Sequence, residues 1–438
     1  MGKFVKTALP LATAVSAALC AQAASAFEYH GYFRAGVGAN GEGGDQVCFQ
    51  APGAGSKYRL GNECETYTEQ IFADTLFEGE NGAYFNVKTN LAFVVQGEQD
   101  FEQFSPALRE MYSEAGNLFG GVFAGSKVWA GKRFYRRHDV HITDFFYWDN
   151  TSPGAGIEDF DLGFGKLAFA WLRNATDSNE ELSVPIDTNG DGVDDARENI
   201  EGNIIPINNR ATSDLDLRVY GIDANPGAQV EFGITGRLSD ESQDDFSGRD
   251  GVWLNAVHFQ EDVFGGFNKL AFQYGWGAGS TLNSFTNDEA SGSANTYRIV
   301  ETLLVEPDPD WSMMFTAVWE KRVNQFGEGE TQDQTWWSVG ARPKYYFTDY
   351  INVALEAGFD SVDRDSDPNG ARNLFKLTLA PQISAGRGFF ARPALRAFIT
   401  YANWNDSAAQ AGVIADGGEN PFSGTDGITY GVQAEAWW

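Results

Sequence analysis

The sequence predicts an all-β chain folded as an antiparallel transmembrane β-barrel, and three observations lead there. Short segments alternate with period two between apolar and polar residues, with no sustained helical period. Beyond residue 26 no apolar run reaches the roughly 18 residues that a membrane-spanning helix needs, so a membrane protein of this composition must be a barrel. Glycine at 50 residues and aromatics at 14% suit strands, turns and interfacial girdles better than helices.

The elements follow in chain order. Residues 1–26 read as a signal peptide: Lys3 and Lys6 give a positive start, Thr7 to Cys20 an apolar stretch, and Ala24-Ser25-Ala26 a small-residue cleavage site. Residues 27–438 then form a single barrel domain. The first strand sets Glu28, His30, Tyr32 and Arg34 against Phe27, Tyr29, Phe33 and Val37. Between Tyr84 and Val95, Phe85, Val87, Thr89, Leu91 and Phe93 oppose Asn86, Lys88 and Asn90, a division that fits a strand between lipid and a watery lumen. From Arg392 to Tyr401, Leu395, Ala397 and Ile399 oppose Arg396 and Thr400. The last strand sets Ile428, Tyr430, Val432 and Trp438 against Thr429, Gln433, Glu435 and Trp437, and ends on an outward aromatic. Polar stretches at Gly38–Gly44, Asn174–Ile207, Ser239–Gly251, Gly277–Asn295 and Asn405–Thr425 read as loops. At about ten residues per strand, the chain holds roughly 16 to 18 strands, enough to leave an aqueous channel.

The net charge of −30 argues against nucleic acid and against anionic cargo. Cys48 and Cys64 have neither CxxC spacing nor a nearby histidine, so a disulfide-closed loop in an oxidising compartment is the simplest expectation. Asp187 to Glu198 satisfies D-x-[DN]-x-[DN]-G-x5-E, which offers a calcium ion the oxygens of Asp187, Asn189, Asp191, the Val193 carbonyl, Asp195 and Glu198. A merely acidic external loop competes with that expectation.

The strings Tyr29-His30-Gly31-Tyr32-Phe33-Arg34 and Ser56-Lys57-Tyr58-Arg59-Leu60-Gly61-Asn62-Glu63-Cys64-Glu65-Thr66-Tyr67 are where the sequence resembles the maltoporin family. Trp129 to Tyr135, Pro153 to Gly156, Gly266 to Lys269, Trp336-Trp337, Arg392-Pro393-Ala394 and Trp437-Trp438 continue the resemblance in family order. The resemblance implies an 18-stranded homotrimeric barrel of the bacterial outer membrane, narrowed by an inward loop. It also implies passive diffusion of maltose and maltodextrins, with no catalysis and no required cofactor.

A sugar ring has apolar faces and a hydroxyl rim, so a selective pore needs rings to stack against and charged groups to exchange hydrogen bonds. Carried over residue by residue, the aromatic path is Tyr32, Tyr67, Phe101, Phe267, Phe390 and Trp437, with Phe101 reaching in from a neighbouring subunit. Tyr32 and Trp437 also fall on the polar face of their strands, although most aromatics of a barrel belong to its lipid girdle. The hydroxyl partners implied are Arg34, Arg59, Glu69, Arg109, Arg137, Asp139, His141 and Asp144. A metal site on His138, Asp139 and His141 is disfavoured, because adjacent ligands on an extended strand diverge. Phe146 stands where the family has tyrosine, so the constriction loses a hydroxyl; a channel for sucrose or another oligosaccharide is the alternative. A secreted all-β carbohydrate-active enzyme is the rival from another class, but a terminal aromatic strand and lipid-compatible faces would serve it no purpose.

Overall fold

A computed structural model describes residues 27–95, 105–176, 183–186, 196–199, 204–206, 210–239, 250–284, 292–324 and 333–438. The signal-peptide segment, Phe101 and the calcium-loop residues Asp187, Asn189, Asp191, Val193 and Asp195 lie outside the described residues. Glu198 falls within a short strand, Ala196–Asn199.

Eighteen antiparallel strands form one sheet that closes on itself. The chain starts it with β1 (Glu28–Asn40), β2 (Thr66–Glu78), β3 (Tyr84–Val95), β4 (Ala107–Gly116) and β5 (Lys127–Arg133). The last strand, Asp426–Trp437, pairs with β1, with Tyr32 opposite Trp437 and Arg34 opposite Glu435. Closure leaves no unpaired edge, the condition for a sheet in hydrocarbon. Short turns such as Pro226–Gly227 and Phe264–Gly265 share the rim where β1 begins, and the connections 41–65, 134–151 and 405–425 leave from the other rim. Short turns mark the periplasmic side of such barrels.

Burial is inverted relative to a water-soluble sheet. On the last strand Ile428, Tyr430 and Val432 are 41, 48 and 52% exposed, while Thr429, Gln433 and Glu435 are 0, 5 and 2% exposed. Apolar side chains thus face out, toward lipid, and polar ones line the interior. The alternation expected for the strand before it also holds, with Leu395 and Ile399 exposed and Arg396 and Thr400 buried, although that strand starts at Ala394 rather than Arg392.

Two loops differ from their expected outlines. The connection after β1 begins only past Asn40 and runs to Glu65, because Gly38 and Asn40 still pair with Gly431 and Thr429. Within 174–207, the segments Ser183–Ile186, Ala196–Asn199 and Ile204–Pro206 form a three-stranded sheet. Valine and isoleucine in two of those segments favour strands despite their polar surroundings.

Both the 41–65 and the 134–151 connections fold into the barrel. The disulfide between Cys48 and Cys64 closes the first. Inside it, Asn62 accepts from the Phe49 N–H at 2.7 Å and donates to the Tyr58 carbonyl at 2.9 Å, satisfying backbone that no strand serves. The Tyr58 ring lies on the inner wall at Gly340 and Gly358, where an added Cβ would come within 2.3 and 2.1 Å of the ring. In the second connection, β6 (His138–Val140) and β7 (Phe145–Trp148) make a small hairpin. Trp148, fully buried, rests on Gly233 and lies 4.0 Å below the Arg218 guanidinium. Arg218 also donates to the Arg136 carbonyl at 2.7 Å, and Gln273 to that of Tyr147 at 2.8 Å. Each buried aromatic contributes roughly 1.5–3 kcal/mol, so the loop is fastened to the wall by packing as well as by hydrogen bonds.

Candidate functional site

The two inward loops meet β1, β2 and the last strand around a cavity of about 450 Å³. Each contributor has a local reason to be there. Tyr32 and Arg34 alternate with outward Phe33 on β1, Tyr67 and Glu69 do the same on β2, and Trp437 sits across the seam from Tyr32. Arg59 comes from the disulfide-closed loop, and Arg137, Asp139, His141, Asp144 and Phe146 from the hairpin loop. Arg109 enters from β4 after a register shift opposite Asn90 and Leu91, which turns it to the lumen.

The rings form a chain. Tyr67 lies 6.0 Å from Tyr32, and Tyr32 stacks on Trp437 at 6.5 Å with 22° between planes. His141 extends it, 6.0 Å from Trp437 and 5.1 Å from Phe390. Phe390 and Phe267 do not line the cavity: Phe390 joins through His141, and Phe267 sits on the inward face of its strand beside Phe259. Parity along a strand reports which face a ring occupies, not how far along the lumen it lies.

The charged groups hold one another in place. Arg59 pairs with Glu63 at 2.7 Å and Glu435 at 3.2 Å, and donates to the Tyr32 hydroxyl at 2.6 Å. Arg34 pairs with Glu63 and Glu65 and covers the Tyr67 ring at 4.9 Å. Glu69 accepts from Tyr67 and Asn90. Arg137 is held between the faces of Phe134 and Phe146, at 3.4 and 4.2 Å, and meets Asp149 at 3.6 Å. Such cation–ring contacts cost little reorganisation once built.

Within the hairpin loop, burial and the Arg59 charge hold the His141 imidazole well below its ordinary pKa, so it is neutral. Arg392 approaches its Nε2 at 3.5 Å, a role that fits a neutral ring acceptor. Burial pushes the Asp139 carboxyl above the usual range, opposed by the nearby Lys269 charge.

Sequence reasoning missed the hub beneath these residues. Glu435, buried on the last strand, accepts from Arg59, Arg392 and Arg396. Arg392 lies 4.5 Å over the Trp437 ring. Its polar-face parity was visible, but only closure of the seam brings three guanidinium groups to one carboxylate. The arrangement offers flat rings interleaved with fixed donors and acceptors around one cavity, which suits a polyhydroxylated ring with apolar faces. Among the described residues, no group of three or more His, Cys, Asp or Glu forms a metal cluster.

A family model described as LamB porin matches residues 27–438. Among solved structures, OccAB1 of Acinetobacter baumannii is similar at 10% identity, over 95% of this chain and 99% of that one, with a TM-score of 0.48. OprD of Pseudomonas aeruginosa is similar at 10% identity over 94% of each chain, with a TM-score of 0.47. OmpT of Vibrio cholerae is similar at 7% identity, over 95% and 100%, with a TM-score of 0.41.

Proposed function

The chain belongs to the LamB porin family and is an outer-membrane porin that crosses the bilayer many times, and on that premise we propose that it passes maltose and maltodextrins by passive diffusion. The observation that carries this reading is the constriction: Tyr67, Tyr32 and Trp437 form a continuous ring path, and Arg34, Arg59, Glu69 and Arg109 line the same cavity beside them. A glucosyl unit slides with its apolar face on the rings. Its hydroxyls exchange partners with side chains already held by neighbours, Arg34 and Arg59 by ion pairs, Glu69 by hydrogen bonds and Arg109 by the Phe134 ring, so little reorganisation is needed as the chain advances. Mixed signs keep the constriction from acting as a simple ion filter.

A homotrimer is part of the same proposal. On the outer faces of β2, β4 and β5, Gln70, Ser113 and Lys132 stand where the other strands carry apolar residues, and β5 spans only seven residues. A short wall that sets polar groups among apolar Phe72 and Met111 suits contact with other copies better than contact with lipid.

Single-channel conductance in a planar bilayer, titrated with maltohexaose and separately with sucrose, tests the substrate. Saturable block by maltohexaose is expected. Channels indifferent to it would retire the maltodextrin assignment and leave the barrel standing, and block by sucrose alone would favour the shorter sugar.

A further inference from the structure

The lumen continues below the constriction along a second line of inward groups. Lys269 stands close enough to Asp139 to act on its charge. Phe267 is two residues away on the same strand face, next toward the periplasmic turn Phe264–Gly265. Its ring lies 5.5 Å from that of Phe259 on the adjacent strand. Phe259 shares its face with Trp253, Asn255 and Val257, all buried inward. Beside it a cavity of about 380 Å³ opens under the Pro226–Gly227 turn, lined by Phe259, Asp223, Gln229 and Glu261. Gln229 has the parity of Glu231, whose carboxylate meets His138 of the inward loop at 3.2 Å, so it too faces the lumen. That volume falls within the ~300–1,000 Å³ of small-molecule sites.

We propose that this cavity is a sugar subsite at the periplasmic mouth, in which Phe259 supplies the stacking face and Asp223, Gln229 and Glu261 the hydroxyl partners. It rests on the transport of linear oligosaccharides proposed above and says where the chain is held as it leaves. One aromatic floor with carboxylates and an amide at its edge repeats, in miniature, the chemistry of the constriction. Phe267 adjoins that floor: Phe259 pairs across the strands with Lys269 and Phe267 with Glu261, so a glucan leaving the Asp139–Lys269 level meets the Phe259 ring first and that of Phe267 nearer the turn. Because the cavity opens at the mouth, a chain arriving from the periplasm reaches it before the constriction.

Current-noise recordings on the full barrel, with maltohexaose added to one side at a time, separate the two mouths. Phe259→Ala is expected to lower the binding rate from the periplasmic side about 2- to 12-fold, the range one aromatic contact carries, and to change the rate from the outer side less. Phe259→Trp, with its larger face, is expected to lengthen residence. If Phe259→Ala forms no channels, Phe259→Trp and Glu261→Gln give the same comparison. Periplasmic-side rates and residence times equal to those of the unaltered protein in every variant that forms channels would overturn the subsite and leave the constriction untouched. An unaltered channel that maltohexaose never blocks would overturn the substrate assignment and the subsite with it.

Discussion

Replacing Glu435 by glutamine removes the charge on which three guanidinium groups converge. Arg392 and Arg396 approach this carboxylate at 2.8 and 2.6 Å, and Arg59 at 3.2 Å, in a site only 2% exposed. Breaking a buried pair costs about 3–5 kcal/mol, because the partner's charge stays out of water. Two of the three have relief: Arg59 keeps Glu63 at 2.7 Å, and Arg396 keeps the Gln433 side-chain oxygen at 3.0 Å. Among the described residues, Arg392 keeps carbonyls, the His141 ring and the face of Trp437, and no second carboxylate. One orphaned guanidinium therefore sets the magnitude, about 3 kcal/mol, the lower end of that range. Unfolding of the detergent-solubilised barrel by guanidinium, read by gel mobility, should show that loss. Reversal potentials in a salt gradient should move toward anion preference, since the lumen gains one net positive charge. If Arg392 is the orphan, the double variant Glu435→Gln with Arg392→Met should recover most of the stability. A double variant no more stable than Glu435→Gln would refute the assignment, as would a single variant with unchanged stability and selectivity.

Phe146→Tyr restores a hydroxyl opposite the ring path, and maltohexaose residence measured by current noise should lengthen by about 2- to 10-fold, the yield of one net hydrogen bond. His141 is held neutral when folded, so the unfolded chain binds its proton first; stability should fall as pH drops below about 6.5, and His141→Asn should flatten that slope in acid unfolding curves. Serine at both Cys48 and Cys64 frees a loop with ends 16 residues apart and should cost about 3 kcal/mol, seen as a lower denaturant midpoint that matches that of the reduced protein. Calorimetry with calcium should give binding heat that Asp187→Ala abolishes; no heat in the unaltered barrel would remove the calcium proposal.

Much of the architecture was legible because a barrel wall has two solvents. Lipid on one side and water on the other make each strand alternate, so Ile428 and Thr429 declare their faces without any neighbour. The closing strands and the constriction residues could be named from the family strings, and Tyr32 and Trp437 also from parity. What parity could not report is height along the lumen, so the strand pattern alone did not tell that Phe267 and Phe390, included in the path by resemblance, lie outside the constriction cavity. Contacts across the closing seam were equally hidden. Glu435 and Arg59 are separated by most of the chain, and nothing local to either announces the other. The small sheet within 174–207 was obscured because its strands are three or four residues long, too short for an alternating pattern to emerge.

The pairing of Tyr32 with Trp437 gives the seam a second meaning. These two residues belong to the first and last strands of the sheet, so the stacked surface between them does not exist until those strands pair. Trp148 and Phe49, one from each inward loop, lie fully buried inside the same closed wall. Sealing the wall therefore completes the ring path along the lumen. A barrel arrested one strand short would lose this stacked surface together with its watertightness, so one pairing step completes both the wall and the ring path.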